Sequence, residues 1–348
     1  MRRRHAGKSR TFIIVALLLL AACVAPVLWN YPKLYARVLE DRRFPALSRY
    51  ALEPVPDVAL VGSSMMFRIY EGYFSTRLRN VAIGGGSPLT GLAIIASYPK
   101  LPRVIVVETN ILSRPVDATL VENFGNNAAE PFAWFWPYRV AISWVYYWLK
   151  YKSESHNVAT LPQQPPSSYE IKTSLDEAEA EYANPAYDAT MAANAATLQR
   201  LVAQLESRGV QIYFVELPYP GNLGQSRYAI TARTLARTAF ADRSRWPDIN
   251  YHLSELRWVD ASHMDERSAI IVAREIDGFL GRLTAAKAPS QVCVRHTPRA
   301  NCRSLNPGEL AHDQAARREQ NVRMADSDFD RRRCCCSGSL ISSACLSS

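Results

Sequence analysis

The sequence predicts an α/β fold: a mainly parallel β-sheet covered on both faces by helices, behind one N-terminal transmembrane helix. Three observations predict it. Short runs that are apolar at every position alternate with segments of helical periodicity. An uncharged stretch, Phe12 to Trp29, follows a basic opening. The 348 residues carry 41 Lys and Arg against 32 Asp and Glu, and the excess of +9 sits at the two ends. Residues 1–10 hold five basic and no acidic side chains, residues 283–348 hold ten basic and six acidic, and residues 11–282 hold 26 of each. A nucleic-acid binder would carry its basic face on the folded part, so that class is set aside. Hydrophobic residues make up 48% of the chain, which excludes wholesale disorder.

The first element is the N-terminal span. Phe12 to Trp29 is eighteen residues, about enough to cross a ~30 Å hydrocarbon core at ~1.5 Å per residue. Arg2, Arg3, Arg4, Lys8 and Arg10 should stay in the cytoplasm and send everything after Tyr31 across the membrane. Trp29 and Tyr31 fit an interfacial aromatic anchor. Leu20-Ala21-Ala22-Cys23 also fits a bacterial lipoprotein signal with Cys23 lipidated, and a cleaved secretory signal is the third reading. All three place the folded part on the extracytoplasmic side of a bacterial inner membrane. The chain is thus organised as an n-region and anchor over residues 1–31, a folded domain over 32–283, and a disordered tail over 284–348.

The sheet is read from apolar runs. Asp57 to Val61 is a buried strand ending at Gly62, Asn80 to Ile83 a second closed by Gly84-Gly85-Gly86, and Arg103 to Val107 a third. Residues 188–207 form a helix with Leu198, Leu201, Val202 and Leu205 on one face, capped by Gly209. Val210 to Val215 is a fourth strand, and Leu256 to Val259 is either a fifth or a short lead into the next element. Asp265 opens a last helix to about Leu283. Strands apolar on both faces and alternating with helices belong to a parallel sheet. Its ligands bind at the carboxyl ends of the strands. The chemistry is therefore sought just after Val61, Ile83, Val107 and Val259.

An aromatic insertion, about residues 111–185, interrupts this pattern. It holds Pro131 to Tyr138, then Ile142 to Leu149 with Trp144, Tyr146, Tyr147 and Trp148, then a Pro/Gln/Ser-rich loop at 161–168. Three readings stand: a membrane-facing amphipathic segment, a lid over a site, or a helical insertion packed on the core. Six of the seven Cys lie in the tail and one at Cys23, so the folded part has neither a disulfide nor a thiolate metal site. Cys334-Cys335-Cys336 lacks the spaced pairs of a metal site. No cofactor and no metal are expected.

Four short blocks carry chemistry. Gly62-Ser63-Ser64 comes directly after the first strand, where a strand-to-helix turn exposes a hydroxyl at the sheet edge. Gly84-Gly85-Gly86 can present a bare backbone N–H to a developing oxyanion, and Asn110 a side-chain N–H. In Asp260-Ala261-Ser262-His263 a carboxylate three residues before a His can hold one imidazole tautomer. Each block alone also reads as an ordinary turn or helix cap.

Together, and in this order, the blocks resemble the SGNH hydrolases, also called GDSL esterases. The matching residues are Val61 to Ser64, Asn80 to Gly85, Glu108-Thr109-Asn110 and Asp260 to His263, and the resemblance covers about residues 55–120 and 186–283. It implies a flavodoxin-like three-layer sandwich. It also implies Ser64 as nucleophile, Asp260 and His263 as the rest of the triad, and an oxyanion hole from Ser64, Gly85 and Asn110. The chain departs from the family pattern at Ser63, where Asp is common, and at Glu108 to Ile111, where the pattern is Gly-x-Asn-Asp. A Gly-Ser-Ser block behind one anchor is similar to envelope members that acetylate alginate or transfer D-alanine to teichoic acid.

Three functions are expected on these grounds. The first is an envelope acyl-ester enzyme, esterase, deacetylase or O-acyltransferase, acting on an acylated glycan through an acyl-enzyme. An acyl-donor protein in the membrane is the partner such a transferase implies. The second is a catalytically silent binding or scaffold protein on the same fold. The third is a membrane-lipid hydrolase that uses the aromatic insertion as its interfacial surface.

Overall fold

The computed structural model describes residues 11–22, 39, 41, 43–126, 136–151, 154–285, 291–293 and 302–304. The chain divides into two units, residues 1–282 and 283–348.

The first unit is an α/β fold on a four-stranded, all-parallel sheet. Its strands are β1 (Val58–Val61), β2 (Leu78–Asn80), β3 (Val104–Glu108) and β4 (Gln211–Val215), in the order β2-β1-β3-β4. Val58 pairs with both Leu78 and Val104, and Val104 with Gln211, so the four strands start level and end along one edge. Every residue of β1, β2 and β3 is buried, as strands covered on both faces must be. Parallel pairing continues beyond Asn80, with Val81 N–H donating to the Leu60 carbonyl at 2.8 Å and Ile83 N–H to Gly62 at 3.1 Å. The strand thus starts two residues ahead of the expected Asn80, and the apolar run to Ile83 extends its pairing beyond the regular strand.

Alternate strand residues meet different helices, because successive side chains point to opposite faces. Ala59, Val61, Ile105, Val107, Ile212 and Phe214 join one core with α3 (Pro88–Ser97) and α8 (Asp188–Glu206). Gly91 lets α3 approach β1: a Cβ there would lie 2.3 Å from Val61 Cγ1. On the other face Tyr213 packs edge-on against Phe279 of α10 (Glu266–Ala285), ring centroids 5.1 Å apart. Each fully buried Val, Ile or Leu of these strands contributes about 1.5–3 kcal/mol. Helix α8 ends as its sequence predicts, with Gly209 at φ +85° and Val210 N–H returning to the Leu205 carbonyl.

Three short helices complete the framework of the site: α1 (Pro45–Leu52), α2 (Ser64–Phe67) and α4 (Ala118–Phe124). Arg49 and Arg79 share Glu53 and Glu71 in a partly buried network that ties α1 to β2. Leu256 to Val259 forms no fifth strand. Its backbone is consumed locally, with Val259 N–H on the His263 carbonyl and Arg257 N–H on Ser268 Oγ, and only a Trp258–Met264 bridge remains. The segment is the lead into α10, whose first turn Asp265 caps through the Ser268 N–H.

In the insertion, α5 (Trp136–Tyr151) lies along α1, with the Arg49 guanidinium 3.8 Å from the Tyr147 ring centroid. Trp144, Val145, Trp148 and Leu149 are exposed, and their i, i+1, i+4, i+5 spacing puts them on one helix face. The insertion continues through α6 (Glu154–Thr160) and α7 (Lys172–Tyr182). Residues 127–135, Trp134 among them, lie outside the described residues.

Residues 11–22 are helical, and the rest of the expected span, including Cys23 and Trp29, lies outside the described residues. Among those described, no helix is long and apolar enough to cross a membrane. In the second unit β5 (Gln291–Cys293) pairs antiparallel with β6 (Cys302–Ser304). The Cys334–Cys336 cluster lies outside the described residues.

Candidate active site

Ser63 and Ser64 both come after β1, and the fold gives them different tasks. Ser63 is 0% exposed and is the N-cap of α2: its Oγ accepts the Met65 N–H at 3.2 Å. Its own N–H donates to Glu108 Oε2 at 2.6 Å. Ser64 is the first residue of α2 and lines a cavity of 260 Å³. At that position its backbone N–H has no intrahelical acceptor.

Gly62 makes this turn possible. A Cβ there would lie 2.5 Å from Met66 Cβ and 2.7 Å from Glu108 Oε2. Both neighbours are held by packing, so Gly62→Ala is expected to cost about 1–3 kcal/mol, as overpacking does. A lowered melting temperature by calorimetry checks it; an unchanged one would mean that the turn relaxes freely.

Asp260 and His263 lie on the loop that leads into α10. His263 Nδ1 is 2.7 Å from Asp260 Oδ2. Asp260 Oδ1 accepts the backbone N–H groups of Ser262 at 2.8 Å and His263 at 2.7 Å. One carboxylate therefore fixes both the loop and the ring. Burial pushes the Asp260 carboxyl up, but the His263 ring and the two amides outweigh it and hold it below the ordinary value. Asp260 stays ionised through neutral pH, so Nδ1 carries the proton and Nε2 is left to accept one. The stability it contributes is present above the usual carboxylate range and is lost as pH falls through the depressed value. Ser262, between them, lines the same cavity as Ser64.

Gly85 takes φ +78° in the loop after β2, a conformation that favours glycine. The Arg114 guanidinium stands above it, with Nη1 3.8 Å from where a Cβ would be, and Arg114 also lines the cavity. Asn110 is 1% exposed, and its carboxamide clasps the chain after β4. Nδ2 donates to the Leu217 carbonyl at 2.8 Å while Oδ1 accepts the Leu217 N–H at 2.7 Å. An oxyanion role for Asn110 therefore rests on the second Nδ2 hydrogen alone. His252 is half-exposed, with Nε2 3.4 Å from Glu275 on α10.

The sequence does not single out the remaining wall. Tyr182 of α7 stacks on Tyr228 of α9 (Arg227–Ala239) at 4.5 Å, and Tyr228 Oη meets Ser113 Oγ at 2.7 Å. Burial pushes the Tyr182 phenol up to about 12 and raises Tyr228 as well, so both are neutral at physiological pH. The only sequence signal is the density of Tyr in and after the insertion. Among the described residues, no side chain of α5 lines this cavity. A second cavity of 430 Å³ opens beyond β4, where Tyr219 meets Tyr182 edge-on. In it Arg233 pairs with Glu216 and Arg237 lies over the Trp246 ring.

No protein-family model, curated protein or solved structure matches this chain. Among the described residues no cluster of His, Cys, Asp and Glu could hold a metal ion. The arrangement contains a hydroxyl in a cavity, an imidazole oriented by a carboxylate on the same cavity's loop, and backbone N–H groups at two turns. Those are the parts of nucleophilic acyl transfer.

Proposed function

We propose that this chain is an SGNH-type serine acyl-ester enzyme of the bacterial cell envelope. The strand order β2-β1-β3-β4 with helices on both faces suits the flavodoxin-like three-layer sandwich of that superfamily. One observation carries the reading: the Asp260–His263 pair sits on a loop whose Ser262 shares a 260 Å³ cavity with Ser64. Ser64 Oγ attacks an ester carbonyl and His263 Nε2 takes its proton. The carbonyl oxygen, now an oxyanion, accepts from the N–H groups of Ser64 and Gly85. Collapse expels the alcohol, protonated by His263, and leaves an acyl-Ser64. Water completes a hydrolase cycle; a sugar hydroxyl completes an O-acyltransferase cycle. The small cavity with its tyrosine wall suits a short acyl group on a glycan better than a long lipid chain.

A fluorophosphonate probe tests this directly. An adduct mapped to Ser64 is expected. No adduct would favour the silent scaffold, and an adduct on Ser63 would reassign the nucleophile.

The exposed face of α5 supports membrane proximity as a second feature of the same reading. Trp144, Val145, Trp148 and Leu149 present a contiguous apolar strip, and an anchor precedes the fold in sequence. Together these favour a domain on the periplasmic side of the inner membrane, with α5 at the lipid surface. The double variant Trp144→Ser/Trp148→Ser is expected to lower co-sedimentation with phosphatidylglycerol vesicles about tenfold or more, since two exposed Trp side chains that would enter the lipid surface are lost. Unchanged sedimentation would assign the strip to another protein.

A further inference from the structure

Glu108 ends β3 directly beneath the turn that carries Ser64. Its carboxyl is 0% exposed. Oε2 accepts the Ser63 N–H at 2.6 Å, while Oε1 has no hydrogen-bond partner. Gly62 leaves no room between turn and carboxyl. Among the described residues no Lys, Arg or His is ion-paired with it.

The groups around it are neutral. From its own strand end come the amides of Asn110 and Ile111, and from the turn the amide and side chain of Ser63; these favour the charged form, and burial outweighs them. Tyr182 of α7, Tyr219 after β4 and Tyr228 of α9 are the titratable side chains that feel its charge, and all three phenols are raised by burial. Outside them stand Glu181 beside Tyr182 and Arg114 beside Tyr228, and the last loop adds the Asp260–His263 pair.

An ionised carboxylate here would leave one charged oxygen buried without a donor, which is expensive; a protonated Oε1 leaves a far cheaper hydroxyl. A negative charge beneath the Ser63–Ser64 turn would also oppose an oxyanion gathering at the Ser64 N–H. We propose that Glu108 is a positioning residue that works as a neutral acid, holding the Ser63 N–H so that the turn presents Ser64 while keeping negative charge away from the oxyanion. This rests on the reading of Ser64 as nucleophile. It also accounts for the departure of the third block, where Glu stands in place of Gly. Burial pushes the Glu108 carboxyl up, in the direction this role needs.

A carboxyl raised in the folded state contributes stability that is present below the usual carboxylate range and is lost as pH rises toward the folded value. Glu108→Gln keeps the acceptor for the Ser63 N–H and stays neutral at every pH. Two measurements on the full chain separate the possibilities. The first is melting temperature against pH, which needs no activity: wild type should lose stability relative to E108Q as pH rises above about 4.3. The second is kcat/KM on p-nitrophenyl acetate against pH. E108Q should stay within about threefold of wild type at its optimum and lose the wild-type alkaline limb, with the acid limb unmoved. Glu108→Ala, which strands the Ser63 amide, should lose about tenfold or more. Superimposable melting curves would overturn the neutral acid. Diverging melting curves with identical pH–rate profiles would overturn its part in the reaction. Diverging curves in a protein whose Ser64 takes no fluorophosphonate would overturn the nucleophile reading instead.

Discussion

Ser64→Ala is expected to abolish ester turnover, by about 10³-fold or more, while leaving the fold intact. The loss is large because no other hydroxyl can substitute. Ser63 is adjacent but buried, with its Oγ held by the Met65 N–H. Ser113 and Ser262 also line the cavity, but Ser113 Oγ is held by Tyr228 Oη at 2.7 Å and Ser262 comes from the loop of the base itself. The fold should survive because Ala is at ease in the first turn of a helix and the Ser63 cap remains. Ser63→Ala is the informative control. It removes the cap and should cost about 0.5–2 kcal/mol of stability while retaining the fluorophosphonate adduct. A Ser64→Ala protein with full activity, or a Ser63→Ala protein that melts normally and takes no probe, would reverse the two roles.

His263→Ala and Asp260→Asn should each lower kcat by about 10²–10⁴-fold, because both act on one proton transfer. The Asn variant is the more diagnostic. Its carbonyl oxygen can still accept the Ser262 and His263 amides that Asp260 Oδ1 accepts now, so the loop holds. Its amide nitrogen then faces His263 Nδ1, where the carboxylate now accepts at 2.7 Å. Two donors cannot face each other, so the ring moves to the tautomer protonated at Nε2 and can no longer accept from Ser64. Melting temperature should change little while kcat collapses. His252→Ala should leave kcat unchanged; a comparable loss there would sink the assignment of His263.

Much of the fold was legible in the chain. The runs ending at Val61 and Val107 are apolar at successive positions, the pattern of a strand buried on both faces, whereas the second strand, Leu78–Asn80, lies ahead of the apolar run to Ile83 and the fourth is half-buried at Gln211 and Tyr213. Leu256–Val259 was harder, since Arg257 and Trp258 break the run and Ser268 captures its backbone. For the aromatic helix, composition alone could not tell lid from core from interface. Its packing depends on Arg49, which engages Tyr147 from a helix about a hundred positions earlier in the chain. Asn110 sits at the strand end its sequence assigns, but its carboxamide serves the backbone of Leu217.

By itself the sequence determined the alternation of strands and helices, the edge at which chemistry collects, and the spacing that joins Asp260 to His263. Those are local properties, set by periodicity, turn chemistry and a three-residue reach. Tertiary structure alone gave Ser63 and Ser64, identical side chains on neighbouring residues, their different surroundings. The difference comes from Glu108, which takes the Ser63 amide from 45 positions away, and from the tyrosines and Ser262 that enclose Ser64 from three distant elements. A choice of that kind is made by packing between segments, and no window of sequence contains both partners.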